Sequence, residues 1–204
     1  MLYKIFRLLF AIVIKIFGRY QVIGRQNLPG SGPVIVVSNH ISNWDPPMVG
    51  VAMRRKVSFI AKEELFKIPL IGFLMKAWGI IPIKRGRADR EGLAKPLGLL
   101  KDGQIVGIFI EGTRNLKDPK TMLKPQPGAA MLALRSEAPV VPVAVINTNR
   151  ILRSLKKVKV IIGKPMLFNS QGELDGLNKK EQYSQISNQI ILAIQELKKN
   201  EGLA

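Results

Sequence analysis

The sequence predicts an α/β domain built on one mostly buried central sheet of about seven strands flanked by helices. Three observations predict it. Short apolar runs alternate with stretches of helical periodicity, glycines stand at many of the joins, and 204 residues suffice for one good core but are short for two. The strand-like runs fall at 20–23, 34–37, 57–60, 80–83, 105–110, 140–146 and 158–162. Helical patterns fall at about 46–54, 70–78, 89–101, 129–136 and 180–199. In the last of these, Tyr183, Ile186, Ile190, Ile194 and Leu197 share one face. Gly79, Gly103, Gly112 and Gly163 punctuate the alternation. No internal repeat or low-complexity stretch interrupts it.

The N-terminal segment reads differently. Residues 1–18 are MLYKIFRLLFAIVIKIFG. Lys4, Arg7, Lys15 and Arg19 fall within one arc of about 120° on a helical projection, and the rest of the circumference is apolar. Such a helix is suited to lie in the headgroup region of a bilayer, where each cation adds about 1 kcal/mol near an anionic leaflet. A membrane span fits less well, because Lys15 interrupts the run and the uncharged stretch 8–14 has only seven residues. A signal peptide lacks its small-x-small cleavage site. A helix buried in the core is the remaining alternative. The expected division is therefore an amphipathic anchor at 1–19 and one domain at 20–204.

Composition narrows the chemistry. There are 32 Lys and Arg against 14 Asp and Glu, a net charge of +18, which calls for a polyanionic partner: nucleic acid, an anionic membrane or phosphorylated substrates. There is no cysteine, so disulfides, thiolate nucleophiles and cysteine metal sites are excluded. His40 is the single histidine, so metal sites of two or three histidines are excluded as well. Aromatic residues make up only 6%, and no nucleic-acid recognition motif is present, which disfavours nucleic acid as the partner.

Three segments carry candidate chemistry, each at the end of an expected strand, where open α/β sheets place their sites. Residues 34–47 read VIVVSNHISNWDPP. His40 is suited to base catalysis near neutrality. Asp45 can fold back to hold one ring nitrogen and leave the other free. Asp before Pro-Pro is also a good helix start, and a carboxylate has oxygens for both tasks. Residues 108–115 read IFIEGTRN: Gly112 lets an amide approach a ligand, Thr113 offers a hydroxyl, and Arg114 a planar fork suited to phosphate. Residues 78–87 read WGIIPIKRGR and place Lys84, Arg85 and Arg87 beside a glycine. Singly these are ordinary charged turns. Together they put a base, an orienting acid and two arginines at three strand ends, an arrangement suited to a phosphorylated substrate. The loop 115–127, basic and proline-rich, is either a lid or membrane contact or an ordinary surface loop.

Asn39-His40 with Asp45, residues 79–85, Glu111-Gly112-Thr113-Arg114 and Ala138-Pro139-Val140-Val141-Pro142-Val143 follow one another in that order. In this the chain resembles the 1-acylglycerol-3-phosphate acyltransferase family, across roughly residues 20–165. The stretch Ala61-Lys62-Glu63-Glu64-Leu65-Phe66 with Pro69 and Gly72 is also similar. Two positions depart from the family: Ile110 stands where proline is usual, and the Lys-x-Gly that often follows EGTR is replaced by Lys124 and Gly128 with Pro125-Gln126-Pro127 between them.

The resemblance implies an acyl thioester donor, acyl-coenzyme A or acyl carrier protein, and lysophosphatidic acid as acceptor, with phosphatidic acid as product and no metal or cofactor. His40 would act as base and Asp45 would orient it. Arg85 and Arg114 would hold the phosphate with Thr113, and Glu111 would brace Arg114 or position the acceptor. The Gly112 amide and Lys62 are the candidate donors to the oxyanion. Ser38 and Ser42 flank His40, so an acyl-serine is conceivable, but direct transfer needs only a base. Lipid substrates and an anionic membrane partner imply a peripheral or monotopic seat on the cytoplasmic face of the cell membrane. Another acceptor, such as glycerol 3-phosphate or a different lysolipid, and a non-catalytic membrane-binding module are the alternatives.

Overall fold

The computed structural model describes residues 2–17, 20–83, 90–150, 157–169 and 174–200. The chain runs α1 (Leu2–Phe17), β1 (Gln21–Ile23), β2 (Val34–Ser38), α2 (Asp45–Ala52), β3 (Val57–Lys62), α3 (Pro69–Trp78), β4 (Ile81–Ile83), α4 (Arg90–Lys101), β5 (Ile105–Phe109), α5 (Gly128–Ser136), β6 (Val140–Ile146), β7 (Lys159–Ile162) and α6 (Lys179–Lys199). Every expected strand and helix is present, with bounds within two residues of those read from the sequence.

The seven strands form one sheet in the order β1-β7-β6-β2-β5-β3-β4. Strands β6, β2, β5, β3 and β4 run parallel, while β7 pairs antiparallel with β6 and β1 parallel with β7. The central strands are covered on both faces, which is why they read as unbroken apolar runs rather than alternating ones. All residues of β2 and β6 are buried.

One face of the sheet packs against a cluster that includes Leu93 and Leu100 of α4, Ala130 and Leu132 of α5, and Ile186, Ile190 and Ile194 of α6. The other face packs against Ile14 of α1 and Met48, Val49 and Ala52 of α2. α3 joins this second layer through Trp78, whose ring meets Tyr3 and Phe10 of α1 edge-on.

α1 differs in one respect from its sequence reading, which gathered its cations on one stripe facing the headgroups. Arg7 turns inward, and its Nη2 donates to the Met53 carbonyl at 2.9 Å, satisfying an acceptor at the end of α2. Lys4 stays exposed, and it is joined at the surface by apolar side chains: Ile5, Leu8 (62% exposed), Leu9 and Ile12. α3 packs beside α1 and likewise leaves Leu70, Ile71, Phe73 and Leu74 exposed. Among the described residues no helix is long and apolar enough to cross a membrane.

Candidate active site

β2 ends at Ser38, and the next residues leave the sheet at the edge where the parallel strands terminate. Asn39 fixes the exit. Its side-chain amide donates to the Val145 carbonyl at 3.0 Å and its Oδ1 accepts from the Val145 amide at 2.8 Å, so the chain after β2 is tied to β6. A buried amide satisfied on both sides in this way defines one backbone path.

His40 follows, held at four points. Its amide donates to Glu111 Oε1 at 2.9 Å, and its carbonyl accepts from the Asn115 amide at 2.7 Å. Nδ1 lies 2.7 Å from Asp45 Oδ2. The ring stacks on Phe109, with centroids 4.0 Å apart and planes 15° from parallel, and Phe109 stacks in turn on Phe59. Gly107 makes this stack possible: a Cβ there would lie 2.6 Å from the Phe59 ring. Since an ionised carboxylate only accepts, Nδ1 is the donor in this bond and Nε2 is the nitrogen left to face a substrate. The His40 side chain is 16% exposed.

Asp45 is fully buried, yet its carboxylate receives four donors. Oδ2 accepts from the amides of Ile41 (2.7 Å) and Ser42 (2.8 Å) as well as from His40, and Oδ1 accepts from the Thr148 hydroxyl at 2.5 Å. The helix-start role differs in detail from the sequence reading. Asp45 is the first residue of α2 and does not cap it. Pro46 and Pro47 have no N–H to be capped, which leaves the carboxylate free for the preceding turn and for His40.

The Glu111-Gly112-Thr113-Arg114 turn is bound to His40 through Glu111 and through Asn115, the residue that follows it. Glu111 is buried, and its oxygens accept from the amides of His40 and Leu123, the latter at 2.8 Å. Burial pushes its carboxyl above the ordinary carboxylate range, opposed by those two amides and by the charges of His40 and Lys198. Among the described residues no hydrogen bond joins Glu111 to Arg114, so its carboxylate braces the backbone of His40 instead. Gly112 adopts φ 65°, and its amide donates to the Phe109 carbonyl at 2.9 Å. This corrects the expectation that the Gly112 amide is available to an oxyanion: closing the tight turn consumes it. The turn leaves Thr113 and Arg114 exposed. Lys62, the last residue of β3, is exposed at the same edge of the sheet. Arg85, with Lys84 and Arg87, lies outside the described residues.

The loop 115–127 is tied to the body of the domain at several points. Buried Asn115 bonds Asp118 and Thr121, the Gln126 amide donates to the Ile110 carbonyl, and Lys198 of α6 donates to the carbonyls of Pro119 and Lys120. Burial holds the Lys198 ammonium below its usual range, with Glu111 and Asp118 opposing. Thr148, Phe109 and Lys198 escaped the sequence reading. Phe109 stood inside a quoted segment, but nothing local marks Thr148, 103 residues from Asp45. Among the described residues no group of three or more His, Cys, Asp or Glu side chains could hold a metal ion.

The arrangement offers an imidazole with one nitrogen unpartnered among the described residues, a buried carboxylate behind it, and exposed cations on the turns at the same sheet edge. That suits proton removal from a hydroxyl next to an anionic group.

Comparison with known proteins agrees with this chemistry. A family model described as Acyltransferase matches residues 19–146. The chain is 30% identical over 190 residues to 1-acyl-sn-glycerol-3-phosphate acyltransferase of Bacillus subtilis (strain 168), covering 91% of this chain and 92% of that one. It is 34% identical over 175 residues to the chloroplastic 1-acyl-sn-glycerol-3-phosphate acyltransferase BAT2 of Brassica napus, covering 80% of this chain and 49% of that one. Thus it spans about half the length of the plant protein. The crystal structure of the 1-acyl-sn-glycerophosphate (LPA) acyltransferase PlsC from Thermotoga maritima has the same fold. Its TM-score is 0.73 at 24% identity, over 98% of this chain and 80% of that one. With a family match over more than half its length and a bacterial relative aligned almost end to end, the chain belongs to the 1-acyl-sn-glycerol-3-phosphate acyltransferase family.

Proposed function

We propose that this chain transfers a fatty acyl group from an acyl thioester to the sn-2 hydroxyl of 1-acyl-sn-glycerol 3-phosphate, giving phosphatidic acid. The observation that carries the reading is the His40–Asp45 pair. One ring nitrogen is spent on a buried carboxylate and the other has no partner among the described residues, at a sheet edge where exposed Arg114 precedes the residue bonded to the His40 carbonyl.

Nε2 of His40 takes the proton of the acceptor hydroxyl as its oxygen bonds to the thioester carbonyl carbon. The tetrahedral oxyanion then collapses, the carbon–sulfur bond breaks, and the leaving thiolate recovers the proton from the imidazolium. Asp45 balances the imidazolium charge in the interval. General-base help of this kind contributes about 10²–10⁴-fold. Arg114 and Arg85 hold the phosphate with Thr113. Gly112 shapes the turn that presents them, and Glu111 holds the backbone of His40 in register. With the Gly112 amide committed, Lys62 is the remaining candidate to meet the oxyanion. Direct transfer needs no acyl-serine, metal or cofactor. The donor is acyl-coenzyme A or acyl carrier protein.

Residues 1–19 serve as the membrane anchor and 20–204 as the acyltransferase domain, seated peripherally on the cytoplasmic face of the cell membrane. The exposed apolar side chains of α1 and α3 support this reading, as does the net charge of +18, which favours an anionic leaflet. α3 follows the C-terminal end of β3, the sheet edge that carries His40, so a lipid acceptor reaches the base without leaving the surface.

The test is acyl transfer to 1-acylglycerol 3-phosphate in mixed micelles with each donor, wild type against His40→Ala, with vesicle pelleting run in parallel. Transfer that collapses in the variant while both proteins pellet with anionic vesicles supports the reading. Transfer that survives in folded His40→Ala overturns the base.

A further inference from the structure

We infer that Thr148 is a positioning residue that, acting through Asp45, locks the imidazole of His40 in a single tautomer and orientation. Thr148 lies just past β6, in a 3-10 turn over Thr148–Arg150, 103 residues from the carboxylate it meets. It is fully buried, as is Asp45.

The division of labour at Asp45 carries the inference. Oδ2 is held by the turn that contains it, through Ile41, Ser42 and His40. Oδ1 faces away from that turn, and its one described donor is the Thr148 hydroxyl. Rotation about Cβ–Cγ moves both oxygens together, so the donors on Oδ2 and the one on Oδ1 restrain the same carboxylate plane from opposite sides. The fourth, the only described one that reaches the carboxylate from outside its own turn, adds the restraint at Oδ1 that keeps this plane from yielding. That plane sets the direction in which Oδ2 meets Nδ1. Phe109 fixes the face of the imidazole, and Thr148 fixes the carboxylate at its edge. β6 is itself tied to β2 by Asn39, so the hydroxyl is delivered by the rigid part of the sheet.

Removing the hydroxyl leaves a buried carboxylate oxygen without a donor. The carboxylate then keeps its plane through Oδ2 alone, and its directional hold on Nδ1 weakens. A wrong tautomer presents N–H instead of a lone pair to the acceptor hydroxyl.

Because His40 is the chain's single histidine, ring-labelled ¹⁵N-histidine gives the signals of this one imidazole and reads its tautomer without substrate. Thr148→Val and Thr148→Ala remove the hydroxyl, and Thr148→Ser keeps it. The wild type and Thr148→Ser are expected to show one tautomer, protonated on Nδ1, and the other two variants a mixture. Per folded molecule, kcat is expected to fall about tenfold or more in Thr148→Val and Thr148→Ala, with KM nearly unchanged, and to recover in Thr148→Ser. An unchanged tautomer, a kcat within twofold of wild type, or loss that tracks only the folded fraction would overturn the inference. So would failure of both hydroxyl-free variants to fold while Thr148→Ser folds, since the hydroxyl would then serve the fold rather than the site. The kinetic half rests on His40 as the base of the proposed reaction, whereas the spectroscopic half does not. A tautomer locked by Thr148 in a protein that transfers no acyl group supports the inference and counts against the reaction alone.

Discussion

The two halves of the site are built in opposite ways. The acid–base half, His40, Asp45 and Glu111, sits among buried partners, and the hydrogen-bonding atoms of both carboxylates are already engaged within the protein. The half proposed to face the anion, Thr113, Arg114 and Lys62, is exposed at the ends of β5 and β3. The first half meets a small, fixed demand, one proton moved along one direction, and preorganisation lowers that barrier. In the proposed reaction the second admits a charged lipid and releases it, which suits solvated cations that form no ion pair among the described residues. Substitutions should therefore separate. Those in the buried half should change turnover or stability, and those in the exposed half should change substrate affinity.

Asp45→Asn should break the comparison most severely. The asparagine fits the cage: its carbonyl can face the three donors at the Oδ2 position, and its NH2 can face Thr148, whose hydroxyl can rotate to accept. The fold should therefore survive while the negative charge behind the imidazolium is lost. We expect kcat to fall about 10²–10⁴-fold with a KM near wild type. A comparable rise in KM would mean that the buried half also binds substrate.

Arg114→Ala should show the opposite pattern. A charge-assisted bond to phosphate contributes about 1.5–3 kcal/mol, so KM for the acceptor should rise about 10–100-fold with kcat largely retained. Arg114→Lys should recover only part of this, since a point charge does not replace a planar fork. A loss confined to kcat would put Arg114 with the reacting atoms.

Glu111→Gln tests the buried half through stability. Glutamine offers one acceptor where two amides, those of His40 and Leu123, need one each, and its NH2 then faces an N–H. The cost should be about 1–3 kcal/mol by denaturant unfolding. The pH dependence should change too. Burial raises the Glu111 carboxyl above its ordinary range, so as pH climbs the unfolded chain gives up this proton first. Between the ordinary value and the raised one the folded protein holds more protons, and this group's contribution makes stability fall as pH rises. In Glu111→Gln that component of the slope should vanish.

The fold was readable because each strand of a doubly covered sheet must be apolar throughout, and the polar or glycine-bearing joins mark where it ends. The reversal of β7 was not readable, since an apolar run carries no direction. His40 and Asp45 were readable because they share one turn. Thr148 was not, because its partner lies across the sheet. A brace from Glu111 to Arg114 was expected because the two are neighbours in sequence, whereas the amides Glu111 serves belong to His40 and Leu123. Arg7 was read as a headgroup contact for a similar reason: a helical projection shows which residues share a face but not which face meets the protein.

Lys62→Ala should have the smallest effect and sharpens the comparison most finely. A preorganised oxyanion donor is worth about 10²–10³-fold in kcat, but that figure belongs to a group held in place before the charge develops. Lys62 ends β3 on a flexible exposed stem. It must give up side-chain freedom and water to reach an oxyanion, which consumes much of what the contact gains. A fall in kcat of about tenfold or less is therefore expected, with the loss growing at low ionic strength, where the wild-type lysine is least screened. A hundredfold loss would show that Lys62 is held in place once substrate binds, and the exposed half would then contain one member that substrate itself converts to the behaviour of the buried half.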